Sequence, residues 1–521
     1  MPDRPLLILP APGEPERRKN KGGGGGVPHL PNRRRQIERL TPQFTALQRA
    51  FASRAARLQA EPGGVPPEDV VVLETVGTVD DFIVAVRSID GLEWLGEIEE
   101  DDLPPDDDFF LTDTAGERRT DKPLRGRMFL VFTNQQPLRQ MLALWNTWTR
   151  GIALPHGLGR WSQLFSRLRD VRPWGVQDRL LETGVLEDWR ERVAHGREVV
   201  PCEIELWFRS DPHRRQVARE RVRALIQLAQ GELVQEAVIE EIGYHAMLAR
   251  LPIAALQAIV QRGDANDTAL VQCEQIQFFR ATGQMAGAIP EDERSADALA
   301  PQAAEAMGEA VVALFDGLPI QNHALLAGWL RIDDPDNYEA DYPAHERRHG
   351  TAMASLIVHG DINSNAAPLT RRLYVRPILR PDSRDWRPVR YESVSEHVLV
   401  VDLLHRAVRR LFEGEGAEPA TAPQIAVVNL SIGILDRPFD AAISPLGKLL
   451  DWLSWKYRVL FLVSTGNQQR DIEMPISRAN LVALNPEERQ NAIVRAIAAD
   501  ARHRRLLSPS EAVNGGCPGP C

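Results

Sequence analysis

Val311-Val312-Ala313-Leu314-Phe315-Asp316-Gly317 is a continuous apolar run that ends in an acid and a glycine. Such a run is the pattern of a strand buried on both faces, as in a parallel sheet flanked by helices. Its acid then stands at the strand's carboxyl end, where open α/β sheets place their sites. Two later runs repeat the pattern: Ile425-Ala426-Val427-Val428-Asn429-Leu430-Ser431-Ile432-Gly433 and Val459-Leu460-Phe461-Leu462-Val463-Ser464-Thr465-Gly466-Asn467. Residues 398–411 and 443–455, one stretch before each run, have helical periodicity. Strands alternating with helices of this length predict a doubly wound α/β domain over residues 309–521.

Between the first and second runs lies His345-Glu346-Arg347-Arg348-His349-Gly350-Thr351-Ala352-Met353-Ala354-Ser355-Leu356. Two chemistries compete for it. His345-Glu346-x-x-His349 has the letters of a zinc-peptidase helix, which needs both histidines on one helical face and the glutamate as general base. Against this, Pro343 lies just before the first histidine, Gly350 directly follows the second, and no further histidine sits at the spacing of the longer zinc motifs. The other chemistry uses His349 alone. His349 opens a helix whose early residues are small, so the helix packs closely on a sheet and its imidazole meets Asp316. An Asp that orients a His, which then deprotonates a nucleophile, is triad logic.

With these motifs in place the chain resembles the subtilisin-like serine peptidases, the subtilases. Leu314-Phe315-Asp316-Gly317 resembles that family's aspartate motif, and His349-Gly350-Thr351-Ala352-Met353-Ala354 its histidine motif. Asn429-Leu430-Ser431-Ile432-Gly433 resembles the strand that pairs with extended substrate. Ser464-Thr465-Gly466-Asn467 resembles the segment whose Asn donates to the oxyanion. All four occur in the family's order. Gly317 stands where Ser or Thr is usual, and Ala352 replaces a frequent second His. The resemblance implies a subtilisin-like doubly wound parallel sheet and a serine endopeptidase. In it Asp316 and His349 are catalytic, Asn467 is the oxyanion donor, and Asn429, Ser431, Ile432 and Gly433 bind substrate. It implies no cofactor and no metal.

The nucleophile has no counterpart. The family carries it in Gly-Thr-Ser-Met-Ala, and no Gly-Thr-Ser occurs in the 521 residues. Ser508 and Ser510, the last serines, flank Pro509 and precede no small-residue helix. The expectation is a peptidase fold that is C-terminally incomplete and stops before its catalytic serine. Gly515-Gly516-Cys517-Pro518-Gly519-Pro520-Cys521 then reads as an aberrant tail, not a redox pair. The alternative function is a non-catalytic pseudoprotease, a regulatory protein that binds peptides in the cleft, with the zinc peptidase as a more distant third.

The N-terminal half divides by composition. Residues 1–65 are a basic arm with a glycine run at 22–26 and Arg33-Arg34-Arg35, followed by a helical pattern over 36–59. Residues 66–150 read as strand, helix, strand, strand, helix: 70–76, 79–89, 92–98, 128–132 and 136–148. The acidic stretches Glu99-Glu100-Asp101-Asp102 and Asp106-Asp107-Asp108 are expected in a solvated loop, since they lack the register and central glycine of a calcium loop. Residues 151–199, rich in Trp and Arg, read as a joining segment. Residues 200–284 repeat the order and complete it as βαββαβ, with strands at 202–208, within 233–251 on either side of Gly243, and at 269–280. The two units form a duplication of element order. Subtilase propeptides are small βαββαβ units that assist folding and cover the cleft, so the resemblance makes 200–284 propeptide-like. Residues 285–308, polar and Ala-rich, read as a linker.

The composition, 43% hydrophobic and 26% charged, is that of a globular chain and excludes wholesale disorder. A formal charge of −10 argues against a general nucleic-acid binder. Four cysteines, Cys202, Cys273, Cys517 and Cys521, are too few for a disulfide scaffold. The first apolar run is shorter than the ~7–15 residues of a secretory signal, and no stretch reaches the ~18 of a membrane span. The expected setting is cytoplasmic, with a peptide or protein substrate, no nucleic acid and no membrane. Subtilases with long N-terminal extensions and no export signal imply in addition an ATPase partner, which no residue here displays.

Overall fold

The computed structural model describes residues 27–58, 69–79, 81–113, 115–133, 135–180, 183–262, 268–282, 285–286, 306–362, 367–382, 390–434, 437–439, 443–466, 472–500 and 505–514. Asn467, Cys517, Cys521 and the glycine run at 22–26 lie outside the described residues. The chain separates into two compact units, Met1–Trp174 and Gly175–Cys521.

In the first unit, helix α1 (Arg33–Leu58) precedes strand β1 (Asp69–Val76), α2 (Phe82–Arg87), β2 (Glu93–Leu103), β3 (Leu124–Thr133), α3 (Gln135–Thr149), α4 (Gly159–Arg167) and β4 (Leu168–Pro173). The sheet order is β2-β3-β1-β4, antiparallel throughout. Val71, Leu73, Phe129 and Val131 turn one face into an aromatic core of Phe44, Phe82, Trp145, Trp148, Trp161 and Phe165. The amide of Gln36 in α1 donates to the carbonyls of Phe165 and Leu168, both at 2.8 Å, and pins that helix over the end of α4.

Two expectations change here. Residues 151–199 do not merely join: α4 and β4 supply the fourth strand and part of the core of the first unit. The mixed polarity of Leu168–Pro173, Leu-Arg-Asp-Val-Arg-Pro, hid that strand. The acidic stretch 99–102 is the end of β2, where Glu97 and Glu99 face Arg127 on β3. The loop after it is solvated only in part: Asp107 is exposed, while its neighbours Asp106 and Asp108 are tied down. Asp108 accepts from Arg35 at 2.8 Å and Arg39 at 3.1 Å, and Asp106 Oδ1 accepts from the backbone N–H of Phe109 at 2.7 Å. The basic arm answers the acidic loop.

The second unit opens with α5 (Val176–Leu180) and α6 (Val185–Ala194). Then come β5 (Val199–Leu206), α7 (Pro212–Leu228), β6 (Glu232–Ile239), β7 (Tyr244–Pro252), α8 (Ile253–Arg262) and β8 (Ile276–Arg280). The order β8-β5-β7-β6, again antiparallel, is that of the first unit's sheet strand for strand. The last strand begins at Ile276 rather than 269, because residues 269–275 form turns.

The chain continues as β9 (Val312–Asp316), β10 (Leu330–Ile332), α9 (Arg348–His359), β11 (Leu373–Pro377), α10 (Val400–Phe412), β12 (Val427–Leu430), α11 (Pro445–Tyr457), β13 (Leu460–Val463), α12 (Arg478–Ala483) and α13 (Pro486–Ala499). A five-stranded sheet runs β10-β11-β9-β12-β13, every pair parallel. Leu314, Leu373 and Val375 pack with Ala354 and Val358 of α9 on one face. Ala313, Phe315, Tyr374 and Val428 pack with α10 and α11 on the other. The strand order reverses at β9, so the crevice of this sheet opens beside Asp316.

The antiparallel sheet of the second unit lies on α10 and α11: Ala237, Ile239, Tyr244, Ala246 and Leu248 share one core with Leu399, Leu403, Leu446 and Leu450. Polar contacts register the two layers. Gln235 accepts from the N–H of Leu399 at 2.8 Å and donates to Asp402 at 2.7 Å. Glu203, buried, accepts from Arg437 at 2.8 Å and from the Tyr244 hydroxyl at 3.0 Å. Removing one member of such a buried pair strands the other charge, at a cost of about 3–5 kcal/mol. Glu203→Ala is therefore expected to lower the unfolding free energy from urea titration by that amount, with Glu203→Leu/Arg437→Met recovering most of it. A single variant within 1 kcal/mol of the parent, roughly the span of a surface pair, would contradict this.

Candidate active site

Asp316 is the last residue of β9 and fully buried. Its Oδ1 accepts the N–H of Gly317 at 2.6 Å and meets His349 Nδ1 at 2.6 Å. Its carbonyl accepts from the N–H groups of Ile378 and Leu379, which fixes the strand end on the loop after β11. His349 is the second residue of α9, and small residues bring that helix in close. A Cβ on Gly350 would stand 2.1 Å from the Gly317 carbonyl oxygen. Thr351 Oγ1 accepts the N–H of Ile320 at 2.9 Å, a second tie between helix and strand exit.

Burial pulls the His349 imidazolium down, and the charge and hydrogen bond of Asp316 outweigh it, so the group titrates above its ordinary 6.5. A raised folded-state value means stabilisation present in full below the unfolded value and lost as pH rises through the folded one. Asp316 thus holds the imidazole with Nδ1 inward and favours the imidazolium, the work of the acid in a catalytic Asp–His pair.

A second acid completes the cluster. Glu392 is buried, and its Oε2 accepts the N–H of His349 at 2.7 Å while Oε1 meets the Tyr342 hydroxyl. Burial, with Asp316 adding to it, pushes Glu392 up to about 8 against the His349 and Gly350 N–H groups, which pull it down. Neither Glu392 nor Tyr342 carries a signal in the sequence: Tyr391-Glu392-Ser393 lies in an irregular stretch with no periodicity.

The zinc arrangement does not form. His345 is exposed in a short 3-10 turn (Ala344–Glu346), whereas His349 sits on α9 facing Asp316. Glu346 is buried in a two-pronged pair with Arg390, at 2.8 and 2.7 Å, which holds its carboxyl low. The Pro343 entry and the fresh helix start at Arg348 put the two histidines on separate elements.

On the other wall, Asn429 ends its side chain on Ser431, whose hydroxyl donates to Asn429 Oδ1 at 2.9 Å, and Ile432 is buried. Gly433 pairs in antiparallel register with Ala286, and Ile434 with Met285; Ala286 pairs on its other edge with Ser393. The order of this small sheet is Arg380–Pro381, Glu392–Ser393, Met285–Ala286, Gly433–Ile434. Met285–Ala286, expected in a linker, is thus an inserted strand, held by backbone pairing that apolar patterning does not reveal. Asn467 is outside the described residues. Gly466 before it has φ +126, and a Cβ there would meet Leu507 at 2.6 Å. Leu507 lies against Gly433 as well and donates its N–H to the Thr465 carbonyl at 3.1 Å.

Ser508 Oγ is bonded to Ser444 Oγ at 2.6 Å and Ser510 Oγ donates to the Leu507 carbonyl at 2.6 Å, so both hydroxyls are committed away from His349. Cys202 and Cys273 are buried and unpaired, and burial raises both thiols. Among the described residues no helix is long and apolar enough to cross a membrane. No family model matches the chain, and no curated protein matches it.

The site rests on the Gly317–Gly350 contact. Gly350→Ala forces the backbone apart, and overpacking of that kind costs about 1–3 kcal/mol. Its thermal transition is expected to fall, with loss of the raised His349 titration; an unshifted His349 titration by NMR would contradict the geometry.

Proposed function

We propose that residues 309–521 carry the acid–base pair and the substrate cleft of a subtilisin-like serine endopeptidase. The observation that supports this most is the 2.6 Å contact of His349 Nδ1 with Asp316 Oδ1 at the carboxyl end of a central parallel strand. In this reading Asp316 fixes the imidazole tautomer, and His349 uses its other nitrogen as general base toward a serine and then as acid toward the leaving amine. Asn467 donates to the developing oxyanion. The substrate enters as an extended strand between Gly433–Ile434 and Ser393, gaining main-chain hydrogen bonds on both edges.

The strand Met285–Ala286 supports the same reading from within the chain. It follows the βαββαβ layer directly and takes the place where a substrate strand would pair. The 200–284 unit then acts as a propeptide-like cover, packed on α10 and α11 with its trailing strand in the cleft.

One sequence fact favours a second reading, a peptide-binding regulatory protein: there is no Gly-Thr-Ser in the chain. Both readings require a cleft that binds extended peptide. The purified chain is expected to take no label from a fluorophosphonate probe, and labelling that depends on His349 would contradict the absence of a nucleophile. Ala286→Pro, which removes a strand N–H, is expected to strengthen binding of a fluorescein-labelled extended peptide in an anisotropy titration. Equal binding by parent and variant would contradict occupation of the cleft by residues 285–286.

A further inference from the structure

Asp316 and Glu392 are two buried carboxyls on either side of Gly317. A Cβ at Gly317 would lie 2.2 Å from Glu392 Oε1 and 2.6 Å from the Tyr342 hydroxyl oxygen, so glycine is what admits the second acid. The place where the subtilase pattern puts a Ser or Thr is filled by a carboxyl and a phenol from elsewhere in the chain. Asp316 Oδ2, fully buried, has no hydrogen-bond partner among the described residues. Glu392 has no cation to pair with among them: its neighbours are the N–H groups of His349 and Gly350 on α9, the Tyr342 hydroxyl, and Asp316 at the end of β9. Nearby charges are already engaged. Arg390 is committed to Glu346, and Arg347 lies over the Tyr342 ring with its Nε on the Tyr342 carbonyl. Two buried carboxylates side by side with no counter-ion but one imidazole cannot both ionise cheaply.

We infer that Glu392 is a positioning residue for the Asp316–His349 pair, working as a protonated carboxyl at neutral pH with Tyr342 as its partner. Its acceptor oxygen clamps the first turn of α9 through the N–H of His349, which sets the ring on Asp316. Its proton keeps a second negative charge away from that pair, while the Tyr342 hydroxyl donates to its Oε1. Losing the proton at alkaline pH adds a charge beside His349 and ties the imidazole to its protonated form. The raised acid agrees with this in sign. An acid that ionises later in the folded state than in the unfolded one destabilises the fold progressively, from the unfolded value of about 4.5 up to about 8.

The inference rests on the proposed Asp–His function, and the test separates the two. Histidine-labelled protein is titrated by NMR in four forms: parent, Asp316→Asn, Glu392→Gln and Glu392→Leu. Asp316→Asn reports on the pair itself: a His349 titration that stays at the parent's value overturns the Asp–His reading. If Asp316→Asn lowers it, the Glu392 variants decide the rest. Glu392→Gln keeps a neutral acceptor and donor, so it is expected to keep the parent's His349 shift at neutral pH and to abolish the alkaline inflection. Glu392→Leu removes the acceptor. It is expected to speed amide exchange at His349 and Gly350 roughly ten- to a hundredfold, the scale of one lost buried hydrogen bond, and to lower the His349 titration. Failure of Gln to rescue what Leu loses would mean that Glu392 works as an anion and would overturn the inference. An unchanged His349 titration and exchange in Glu392→Leu would overturn it as well.

Discussion

The carbonyl of Gly317 occupies the space that any side chain at position 350 would need, and the rest of the site is built around that contact. It brings the exit of β9 and the first turn of α9 together backbone to backbone, which sets Asp316 Oδ1 at 2.6 Å from His349 Nδ1. The same economy at Gly317 opens the space filled by Glu392 and Tyr342. A close approach of two main chains is less adaptable than a contact between side chains, because neither partner has a rotamer to change. The pair is held by packing before electrostatics contributes anything, and the hydrogen bonds to Oδ1 then choose the tautomer.

The layer formed by β5–β8 serves the site at a distance. Its apolar face completes the core over α10 and α11, while Gln235 and Glu203 fix its register on them. Once that register is set, the chain leaving β8 is delivered to the gap between Ser393 and Gly433, where two residues close a four-stranded sheet. A layer attached through a buried charge pair and a shared core differs from one resting on surface contacts, since parting it would expose Arg437 and Glu203 together. The first unit repeats the same sheet order with a different filling, an aromatic cluster in place of aliphatic contacts.

Much of this was legible in the residues. The run ending in Asp316, the small-residue helix after His349 and the buried strand ending near Ser431 all appear where the periodicity puts them. Patterning failed where polar residues sit inside strands. β11, Leu-Tyr-Val-Arg-Pro, carries a buried Arg376 that answers Asp336. β4 reads Leu-Arg-Asp-Val-Arg-Pro, with charges at three of its six positions, and in the acidic later part of β2 Glu97 and Glu99 pair with Arg127 on the next strand. In each case the compensating charge is far away in sequence, so a local reading takes a strand for a loop. Glu392 and the strand at Met285–Ala286 were invisible for a related reason: their roles depend on backbone groups and neighbours that only the folded chain assembles.

The most direct test of the account is the hydrogen bond at its centre. Protein labelled with nitrogen-15 at histidine should show, in acidic solution, one imidazole Nδ1–H proton far downfield of the amide region. That resonance should vanish in Asp316→Ala while the other histidines keep their signals. Its presence and its loss on that substitution are what a buried Asp316–His349 pair predicts. Absence of such a proton in the parent, or its survival in Asp316→Ala, would contradict the account.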